Sequence, residues 1–286
     1  MSDMEAMFYE KTSNGVKCGL CPWGCELPDG ALGRCKARRS RGGKLIAESY
    51  GMITSAAIDP IEKKPLKQFY PGSIILSIGL YGCNFHCPFC QNYHISMEKP
   101  ETHYISPEDI AALAGKYARS DNNLGVAYTY NEPLIAYEYV MDCAKLARAK
   151  GLKNVVVTNG CINEGPFQEI LPYIDAFNID LKGPDAYYKE KLGGDYGTVR
   201  RNIQSAAAKS HVEITTLIIP GDNDSEEEMK EEAKFLAGIN REIPLHLSRF
   251  TPQYKYAGKR PTSIDSMYQL RNVAKRYLKR VYMGNI

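Results

Sequence analysis

Three closely spaced cysteines carry the clearest chemical signal in this chain. Cys83, Cys87 and Cys90 are separated by three and then two residues, in the run GCNFHCPFCQN. Three thiolates can hold three irons of a cubane iron–sulfur cluster, whereas clusters that only carry electrons usually have four protein ligands. A three-ligand site leaves one iron open, as catalytic metal sites leave one position open. That iron could hold a small molecule through an amine and a carboxylate.

A structural zinc loop is the alternative interpretation of these three cysteines, and three unrelated buried thiols is another. Zinc would need a fourth ligand, and His86 or His94 could supply it. The rest of the sequence favours the cluster, because polar residues recur at the ends of the predicted strands described below.

Four further cysteines lie near the start of the chain, at Cys18, Cys21, Cys25 and Cys35. Four thiolates this close in sequence can close a tetrahedral zinc site or hold an auxiliary iron–sulfur cluster. Spacing alone leaves both open, since zinc is borderline-soft and has no geometric preference. Trp23 lies between these cysteines and is predicted to pack this region against the remainder of the protein.

The overall composition is that of an ordinary globular protein. The chain has 286 residues, 44% apolar and 24% charged, enough for one large α/β domain and a small appendage. A net charge of +3 argues neither for nor against a nucleic-acid partner, which is not expected here. No segment approaches the ~20 apolar residues of a membrane span, and the acidic N-terminus does not read as a secretory signal. Nine cysteines in such a chain predict the reducing cytoplasm, and an open cubane would also require low oxygen.

The pattern along the chain divides it into three regions. Residues 1–50 form a Cys-rich appendage that could bind a metal or a cluster, and residues 51–72 form a connector with prolines and lysines. Residues 73–286 alternate short apolar runs with amphipathic stretches, which predicts strands alternating with helices.

Six strand–helix units in series predict parallel strand pairing with right-handed crossovers. The architecture is therefore a complete or partial (β/α) barrel or a doubly wound sheet, with functional groups at the carboxyl ends of the strands. The strands are predicted at 73–80, 125–130, 154–159, 176–182, 212–220 and 244–250, with a further short one at 280–285. The helices are predicted near 107–119, 134–150, 165–172, 197–209, 225–238 and 263–279.

Polar residues at the predicted strand ends identify a candidate site. A carboxylate beside an open iron could bond the ammonium group of a bound amino acid, and a hydroxyl or amide would suit a ribose or a carboxylate. Each residue also has a plain structural interpretation, as a helix cap, an ion pair or a half-buried histidine. The polar strand-end candidates are Asn131, Glu132, Thr158, Asn159, Asp180, Lys182 and His246, and the turn that begins at Ile219 could place its backbone beside an adenine.

These motifs resemble those of radical SAM enzymes, in particular the activating enzymes of glycyl radical enzymes such as pyruvate formate-lyase activating enzyme. The resemblance rests on the cysteine loop with Phe89 before its third cysteine, on TNG at 158–160, on DLK at 180–182 and on IPG at 219–221. The whole chain is more similar still to the AmmeMemoRadiSam branch, through CGLCPWGCELPDGALGRC, DPIEKKPL, TYNEP and VYMGN. One departure is Tyr130-Asn131-Glu132, where activating enzymes usually have Gly-Gly-Glu.

The resemblance implies a partial (β/α)6 barrel of the TIM type. It implies a [4Fe-4S] cluster on Cys83, Cys87 and Cys90 that binds S-adenosylmethionine at its open iron. Reductive cleavage would give methionine and a 5′-deoxyadenosyl radical, which abstracts hydrogen from a substrate. Glu132 and Asn131 would hold the methionine ammonium.

The same resemblance implies roles for the remaining candidates. Phe89 and Ile219 would flank the adenine. The other methionine and ribose groups would be held by Thr158, Asn159, Asp180, Lys182 and His246.

The resemblance also implies partners. A flavodoxin- or ferredoxin-type protein would donate one electron, and a Memo-like or AMMECR-like protein, or a protein substrate, could bind. The substrate could be a glycyl residue of a partner protein, another peptide, RNA or a small metabolite. A non-catalytic iron–sulfur sensor or assembly factor is the competing class, but it would not require Glu132, Asp180 and Lys182 to face one pocket.

Overall fold

The structure, a computed structural model, describes residues 3–286. Within these residues the strands form one large sheet and three small antiparallel ones. The strands are β1 Tyr9–Thr12, β2 Gly15–Cys18, β3 Glu26–Leu27, β4 Arg38–Arg41, β5 Lys44–Ala47, β6 Met52–Ile53, β7 Ser55–Pro60, β8 Ile74–Gly79, β9 His103–Tyr104, β10 Asn123–Thr129, β11 Lys153–Thr158, β12 Ala176–Asp180, β13 His211–Ile218, β14 Leu245–Arg249 and β15 Val281–Gly284.

Helices follow most strands of the large sheet. The α-helices are α1 Tyr93–Ser96, α2 Pro107–Asp121, α3 Tyr137–Ala149, α4 Glu164–Ile170, α5 Asp185–Tyr187, α6 Tyr196–Ala207, α7 Glu226–Ile239 and α8 Ile264–Ala274. Single turns of 3-10 helix lie at Ile61–Lys63, Pro133–Ala136, Leu171–Tyr173 and Tyr254–Tyr256, and a π-helical turn at Tyr188–Leu192.

The helix starts follow the capping residues in the sequence. The Ser106 hydroxyl accepts a hydrogen bond from the Asp109 backbone N–H at 3.1 Å, at the start of α2. The Ser225 hydroxyl does the same for Glu228 at 3.2 Å, at the start of α7. Each serine satisfies an amide that the first turn leaves without a helical partner, which is why both helices begin where predicted.

The large sheet has the strand order β15-β14-β13-β12-β11-β10-β8-β7. Apart from β9, which pairs with β6 in a separate sheet, the strands from β8 to β15 pair in parallel and follow one another in chain order. β7 pairs antiparallel with β8 at one edge. A doubly wound sheet would reverse this order at a switch point, whereas a sequential order places the crossover helices on one side. The predicted partial (β/α) barrel is confirmed, and the short strand predicted at 280–285 is β15.

The connector, residues 51–72, contains β7, a strand that was not predicted from the sequence. Most side chains of β7 are exposed or half-buried, so the segment lacks the apolar alternation that marks a strand. Edge strands tolerate such side chains and a terminal proline, here Pro60, because their outer backbone groups need no sheet partner.

The rest of the connector enters the end of the barrel at the amino ends of its strands. We call residues 61–70 the plug. Its side chains Ile61, Leu66 and Phe69 form a separate apolar cluster with one residue each from β8, β10, β11 and β12. The carboxylate of Glu213, on β13, accepts hydrogen bonds from the plug's backbone N–H groups of Lys67 and Gln68 at 3.0 and 2.7 Å. The plug therefore fills the barrel interior below the site.

The Cys-rich region packs on the barrel through specific hydrogen bonds. Trp23 Nε1 donates to the backbone oxygens of Asn84 and Gly193 at 3.2 and 3.1 Å, which confirms the packing role predicted for this residue. Asn163, before α4, donates its side-chain amide to the Gly19 oxygen at 2.7 Å. Side chains of this region also belong to the main apolar core, which is continuous with that of the barrel.

Candidate active site

The three cysteines lie on residues 82–92, which we call the cluster loop and which follow β8 at its carboxyl end. The loop is fixed by main-chain hydrogen bonds from Cys83 N–H to the Cys35 oxygen at 3.2 Å and from His86 N–H to the Leu192 oxygen at 2.9 Å. Gly82 has a φ of 88°, and a Cβ there would lie 2.4 Å from the Cys35 oxygen. Only glycine allows the two chain segments to approach this closely.

A cavity of about 690 Å³ opens at the carboxyl ends of the barrel strands. It is large enough for a drug-sized ligand. Ten of the predicted site residues line it: Cys83, Cys87, Phe89, Cys90, Asn131, Glu132, Thr158, Asn159, Asp180 and Lys182. The structure therefore brings the cysteines together with the polar groups from the next three strands. The position of these groups at strand ends is the basis for expecting them to lie together.

Glu132 lies at the wall of this cavity with its carboxylate buried. The carboxylate accepts hydrogen bonds from the Thr158 hydroxyl at 2.7 Å, from Asn159 N–H at 2.7 Å and from Leu134 N–H at 3.0 Å. Burial raises the pKa of Glu132 to about 7, although these hydrogen bonds act in the opposite direction. The residue thus joins β10 to β11 and also caps the turn that begins at Pro133.

Asp180 and Lys182 form an ion pair at the end of β12, with 2.8 Å between Lys182 Nζ and Asp180 Oδ2. Burial alone would lower the pKa of Lys182, but the Asp180 carboxylate and the Cys87 sulfur reverse this and raise it. A cation is therefore held beside the cysteine sulfurs, where a cluster carrying thiolate charge would be stabilised.

Asn131 acts on the cluster loop as well as on the cavity. Its side-chain oxygen accepts from Leu80 N–H at 3.2 Å, and its amide donates to the Gly82 oxygen at 2.9 Å. Asn92, at the far end of the loop, donates to the Tyr130 oxygen at 2.6 Å. These two amides fix both ends of the loop to the end of β10.

Phe89 lines the cavity and faces aromatic neighbours. Its ring lies parallel to that of Tyr187 with 6.4 Å between centroids, and 6.2 Å from Tyr256. This arrangement provides an apolar wall against which a planar ring could lie.

Ile219 and His246 lie outside the cavity lining. Ile219 is fully buried, with its backbone N–H bonded to Asn223 Oδ1 at 2.7 Å. His246 lies deeper in the barrel, where Nε2 is 2.6 Å from Glu213 Oε2. The cavity wall instead has Thr215 and Leu217 from β13 and Ser248 from β14. Side chains alternate along a strand, so every second residue points inward, and His246 lies one layer below Ser248.

Several lining residues were not predicted as site residues. Ser248, Arg249 and Asn285 end the last two strands, so the strand-end rule could have identified them. Lys63 ends a 3-10 turn of the plug and Gln253 lies in a loop, and no pattern in the sequence indicates that they reach the cavity.

The four N-terminal cysteines line a second, much smaller cavity of about 20 Å³. We call Cys18, Cys21, Cys25 and Cys35 the front cysteines; all are free thiols, as are the three of the cluster loop. Across residues 3–286, no three His, Cys, Asp or Glu side chains are spaced to share one metal ion. A cluster distributes its thiolates over different irons, so this criterion does not apply to it.

The donor set of the cluster loop fits an iron–sulfur cluster. Burial raises the pKa of the Cys83 thiol well above its ordinary value and that of Cys87 to about 12, so both need a bound metal to be held as thiolates. Three sulfurs, a partly buried cation and a shared cavity provide ligands, charge balance and space for a further ligand.

The fold and this site define a radical SAM protein. The pattern of the radical SAM superfamily matches residues 77–235, more than half of the chain, and the chain belongs to this family. Its relatives include an uncharacterized protein of Methanocaldococcus jannaschii, 41% identical over 99% of this chain and 85% of that protein.

More distant relatives include characterised enzymes. The pyruvate formate-lyase-activating enzyme of Clostridium pasteurianum is 24% identical over 67% of this chain and 80% of its own length. The crystal structure of Streptococcus suis SuiB bound to the precursor peptide SuiA has the same fold, with a TM-score of 0.57 and 14% identity over 72% of this chain. The match spans about half of SuiB, 47% of that chain. Within residues 3–286, no helix has the length and apolar character to cross a membrane.

Proposed function

We propose that this protein is a radical SAM oxidoreductase that cleaves S-adenosylmethionine reductively and abstracts hydrogen from a substrate. The observation that carries the proposal is the convergence of three free thiols and a set of buried polar groups on one cavity of about 690 Å³. When bound, a [4Fe-4S] cluster would supply the electron that breaks a carbon–sulfur bond, giving methionine and a 5′-deoxyadenosyl radical.

The cluster ligands in this proposal are Cys83, Cys87 and Cys90. The short cluster loop keeps these thiols together on one wall, and Asn131 and Asn92 hold its two ends. A rigid loop keeps the cluster in one orientation relative to the cavity, which the chemistry requires.

The polar wall would bind the amino-acid part of S-adenosylmethionine. Glu132 and Asn131 are proposed to face its ammonium, and Thr158, Asn159 and the Asp180–Lys182 pair its carboxylate and ribose. The Glu132 carboxylate already accepts three hydrogen bonds, which hold it in one orientation and leave lone pairs for a fourth donor.

The adenine is proposed to lie against Phe89. Ile219 and His246 do not line the cavity, so neither is proposed to contact S-adenosylmethionine. The cavity mouth would then leave Ser248, Arg249 and Asn285 for the substrate.

Glycyl radical installation in a partner protein is the substrate class that we propose. Support comes from the distant similarity to pyruvate formate-lyase-activating enzyme. A flavodoxin- or ferredoxin-type protein is proposed as the one-electron donor, with the cytoplasm as the location. If the substrate were instead RNA, another peptide or a small metabolite, the same hydrogen abstraction would give a different product, and that product would identify the substrate class.

The test is anaerobic reconstitution with iron and sulfide followed by reduction with dithionite. EPR spectra are recorded with and without S-adenosylmethionine, and 5′-deoxyadenosine is assayed. Cys83→Ala is compared with Cys143→Ala, a buried thiol in α3 that lies in neither cysteine group. We expect the reduced-cluster signal to change on adding S-adenosylmethionine, and 5′-deoxyadenosine to form in the wild type and in Cys143→Ala but not in Cys83→Ala.

A signal indifferent to S-adenosylmethionine, with no 5′-deoxyadenosine, would overturn the enzyme proposal and favour an iron–sulfur sensor or assembly factor. The substrate proposal is tested separately, by adding a purified, unactivated glycyl radical enzyme and recording the EPR spectrum for an organic radical. Formation of 5′-deoxyadenosine without that radical would contradict glycyl radical installation and leave the cleavage reaction standing.

A further inference from the structure

The front cysteines form a site of their own, outside the large cavity. All four line the same small cavity, together with Trp23 and Arg38. The four thiols are close together in the sequence and meet at one enclosed point. In a reducing compartment this arrangement is more typical of metal binding than of disulfides.

The spacing of the front sulfurs distinguishes between a single ion and a cluster. Across residues 3–286, no three His, Cys, Asp or Glu side chains are spaced to share one metal ion, although all four front cysteines line one cavity. Thiolates on a zinc ion would all lie about 2.3 Å from its centre, whereas a cluster distributes its thiolates over different irons. The spacing of the front sulfurs therefore suits a cluster better than a single ion.

The charge around the cavity suits an anionic metal–thiolate group. Arg38 is 1% exposed, and its Nη1 lies 3.8 Å from Cys18 Sγ and 3.1 Å from the Met7 oxygen. Its other terminal nitrogen pairs with Glu138 on α3. A buried guanidinium beside a ligand sulfur would offset the negative charge that several thiolates bring together.

The two cysteine groups are in direct contact through the main chain. Cys83 N–H donates to the Cys35 oxygen, so one ligand from each group is joined by a single hydrogen bond of 3.2 Å. Asn84 lines the front cavity and accepts at Oδ1 from Asn159 Nδ2 at 2.8 Å, and that same nitrogen lies 3.7 Å from Cys83 Sγ. A redox group at the front cysteines would have a short, covalent and hydrogen-bonded connection to the cluster loop.

We propose that the front cysteines hold a second iron–sulfur cluster that passes electrons to the cluster loop. This rests on the proposed function for its purpose, though not for the existence of the site. A one-electron protein donor would reduce the front cluster, which would pass that electron to the cluster of Cys83, Cys87 and Cys90. The electron ends in the carbon–sulfur bond that breaks, so each cleavage consumes one donor electron and returns both clusters to their oxidised state.

The existence of the front cluster is tested without S-adenosylmethionine. Iron, sulfide and zinc are counted in reconstituted wild type, in Cys21→Ser, in Cys25→Ser and in the control Cys143→Ser. Both front variants change half-buried thiols, and circular dichroism verifies folding. We expect each front variant to lose roughly four irons per chain for a cubane, or roughly two for a [2Fe–2S] cluster, with no loss in the control. Zinc at the front site, or unchanged iron, would overturn the proposal.

The cluster loop variant Cys83→Ala separates this proposal from the proposed function. A front cluster should persist in Cys83→Ala with its own EPR signal, whether or not the wild type cleaves S-adenosylmethionine. In doubly reduced wild type, the two paramagnetic centres should broaden and relax each other's signals, and this coupling should vanish in Cys21→Ser and in Cys83→Ala. Sharp, independent signals in the wild type would contradict the close approach of the two clusters.

The relay role is tested by changing the reductant. With a reduced flavodoxin as donor, Cys21→Ser and Cys25→Ser should form 5′-deoxyadenosine at least tenfold more slowly than wild type. With dithionite, which can reduce the loop cluster directly, the loss should be much smaller. Equal rates for variant and wild type with flavodoxin would show that electrons enter elsewhere.

Discussion

Tyr130 occupies a backbone conformation that favours glycine. Its φ is 75°, at the position where activating enzymes usually have a glycine before their Asn131-Glu132 equivalent. A left-handed conformation at a bulky residue costs of order 1 kcal/mol or more and persists only when its surroundings fix it. Here the phenol donates to Asp59 Oδ2 at 2.7 Å, and the ring lies 4.6 Å from Lys64 Nζ. Burial and the Asp59 carboxylate raise the pKa of Tyr130 to about 12, so the phenol stays protonated as a donor.

The variant Tyr130→Phe removes that hydroxyl and keeps the ring. We expect it to lower the free energy of unfolding by about 1–2 kcal/mol, because Asp59 loses a buried donor. Tyr104→Phe, at an exposed tyrosine, is the matched control and should change little. Denaturant unfolding measures both, and equal values for the two variants would show that the phenol does not compensate the strained backbone.

Glu232 is a buried carboxyl in α7 with one hydrogen-bond partner, the Thr216 hydroxyl. Burial raises its pKa to about 8, so the folded protein binds a proton here that the unfolded chain releases near pH 4.5. A raised carboxyl pKa means that folding stability falls as pH rises between these two values, and that the full stability is present below them.

Glu232→Gln removes this titration and preserves an acceptor for Thr216. We expect the variant to match wild type near pH 4.5 and to be more stable by roughly 4 kcal/mol near pH 8. Glu231→Gln, at the exposed neighbour, should lack this trend. Thermal or denaturant unfolding across this range measures the difference, and a constant difference at all pH values would refute the assignment.

At the scale of elements, the plug and β7 are joined by an ion-pair cluster. Asp59, at the end of β7, pairs with Lys63 Nζ at 3.1 Å and with Lys64 Nζ at 2.8 Å. The two lysines differ in environment, since the Lys64 side chain is 2% exposed and the Lys63 side chain 67%. Removing the charge of a buried lysine costs far more folding free energy than removing that of an exposed lysine, because the carboxylate that remains cannot be solvated.

This pair of adjacent lysines offers a matched test. Lys64→Met should lower the free energy of unfolding by about 3 kcal/mol, because it leaves the Asp59 carboxylate without its buried cation. Lys63→Met should cost less than about 1 kcal/mol. Urea unfolding of both variants measures this, and similar losses would mean that the plug is not held by the buried ion pair.

For the whole molecule, one buried ion pair joins the barrel to the Cys-rich residues 3–50, which we call the front region. Arg38, on β4, pairs with Glu138, on α3, and both side chains are at most 5% exposed. Glu138 also accepts from Met7 N–H at 2.7 Å. The front region and the barrel share this polar contact within a continuous apolar core, so they should unfold together.

Glu138→Gln keeps the shape of the side chain and removes its charge. We expect a loss of about 3 kcal/mol, because Arg38 is then a buried cation without a counter-ion. Glu164→Gln, which weakens an exposed pair with Arg201, is the control. Calorimetry should show one transition for wild type; a separate early transition for the front region would contradict the single cooperative unit.

The barrel and much of its site could be predicted because they depend on local patterns. Apolar runs and caps such as Ser106 and Ser225 are encoded within a few residues, and parallel strands place their carboxyl ends at one edge. The positions of Glu132 and Asp180 at the cavity follow from that rule. The placement of His246 does not, because how deep an inward-facing residue lies below the cavity depends on the register of β14 in the closed barrel rather than on the strand alone.

Other features depend on contacts between distant segments. β7 is an edge strand with exposed side chains, so no periodicity marks it. The reach of Lys63 to the cavity depends on how the plug enters the barrel. The contact of Cys35 with Cys83 joins two loops across nearly fifty residues of chain, and nothing in the spacing of either cysteine group indicates it.

The bonds from the plug to Glu213 have a consequence for the order of folding. They join residues 146 and 145 positions apart in the sequence. Contacts this remote form late, because the chain between them must be ordered first. We therefore expect the plug's amides to gain protection only once β13 has joined the sheet, which pulse-labelling hydrogen exchange during refolding would detect. Until then the plug's apolar side chains Ile61, Leu66 and Phe69 are exposed on a nascent chain that has already emerged, which makes this segment a candidate for binding by a chaperone.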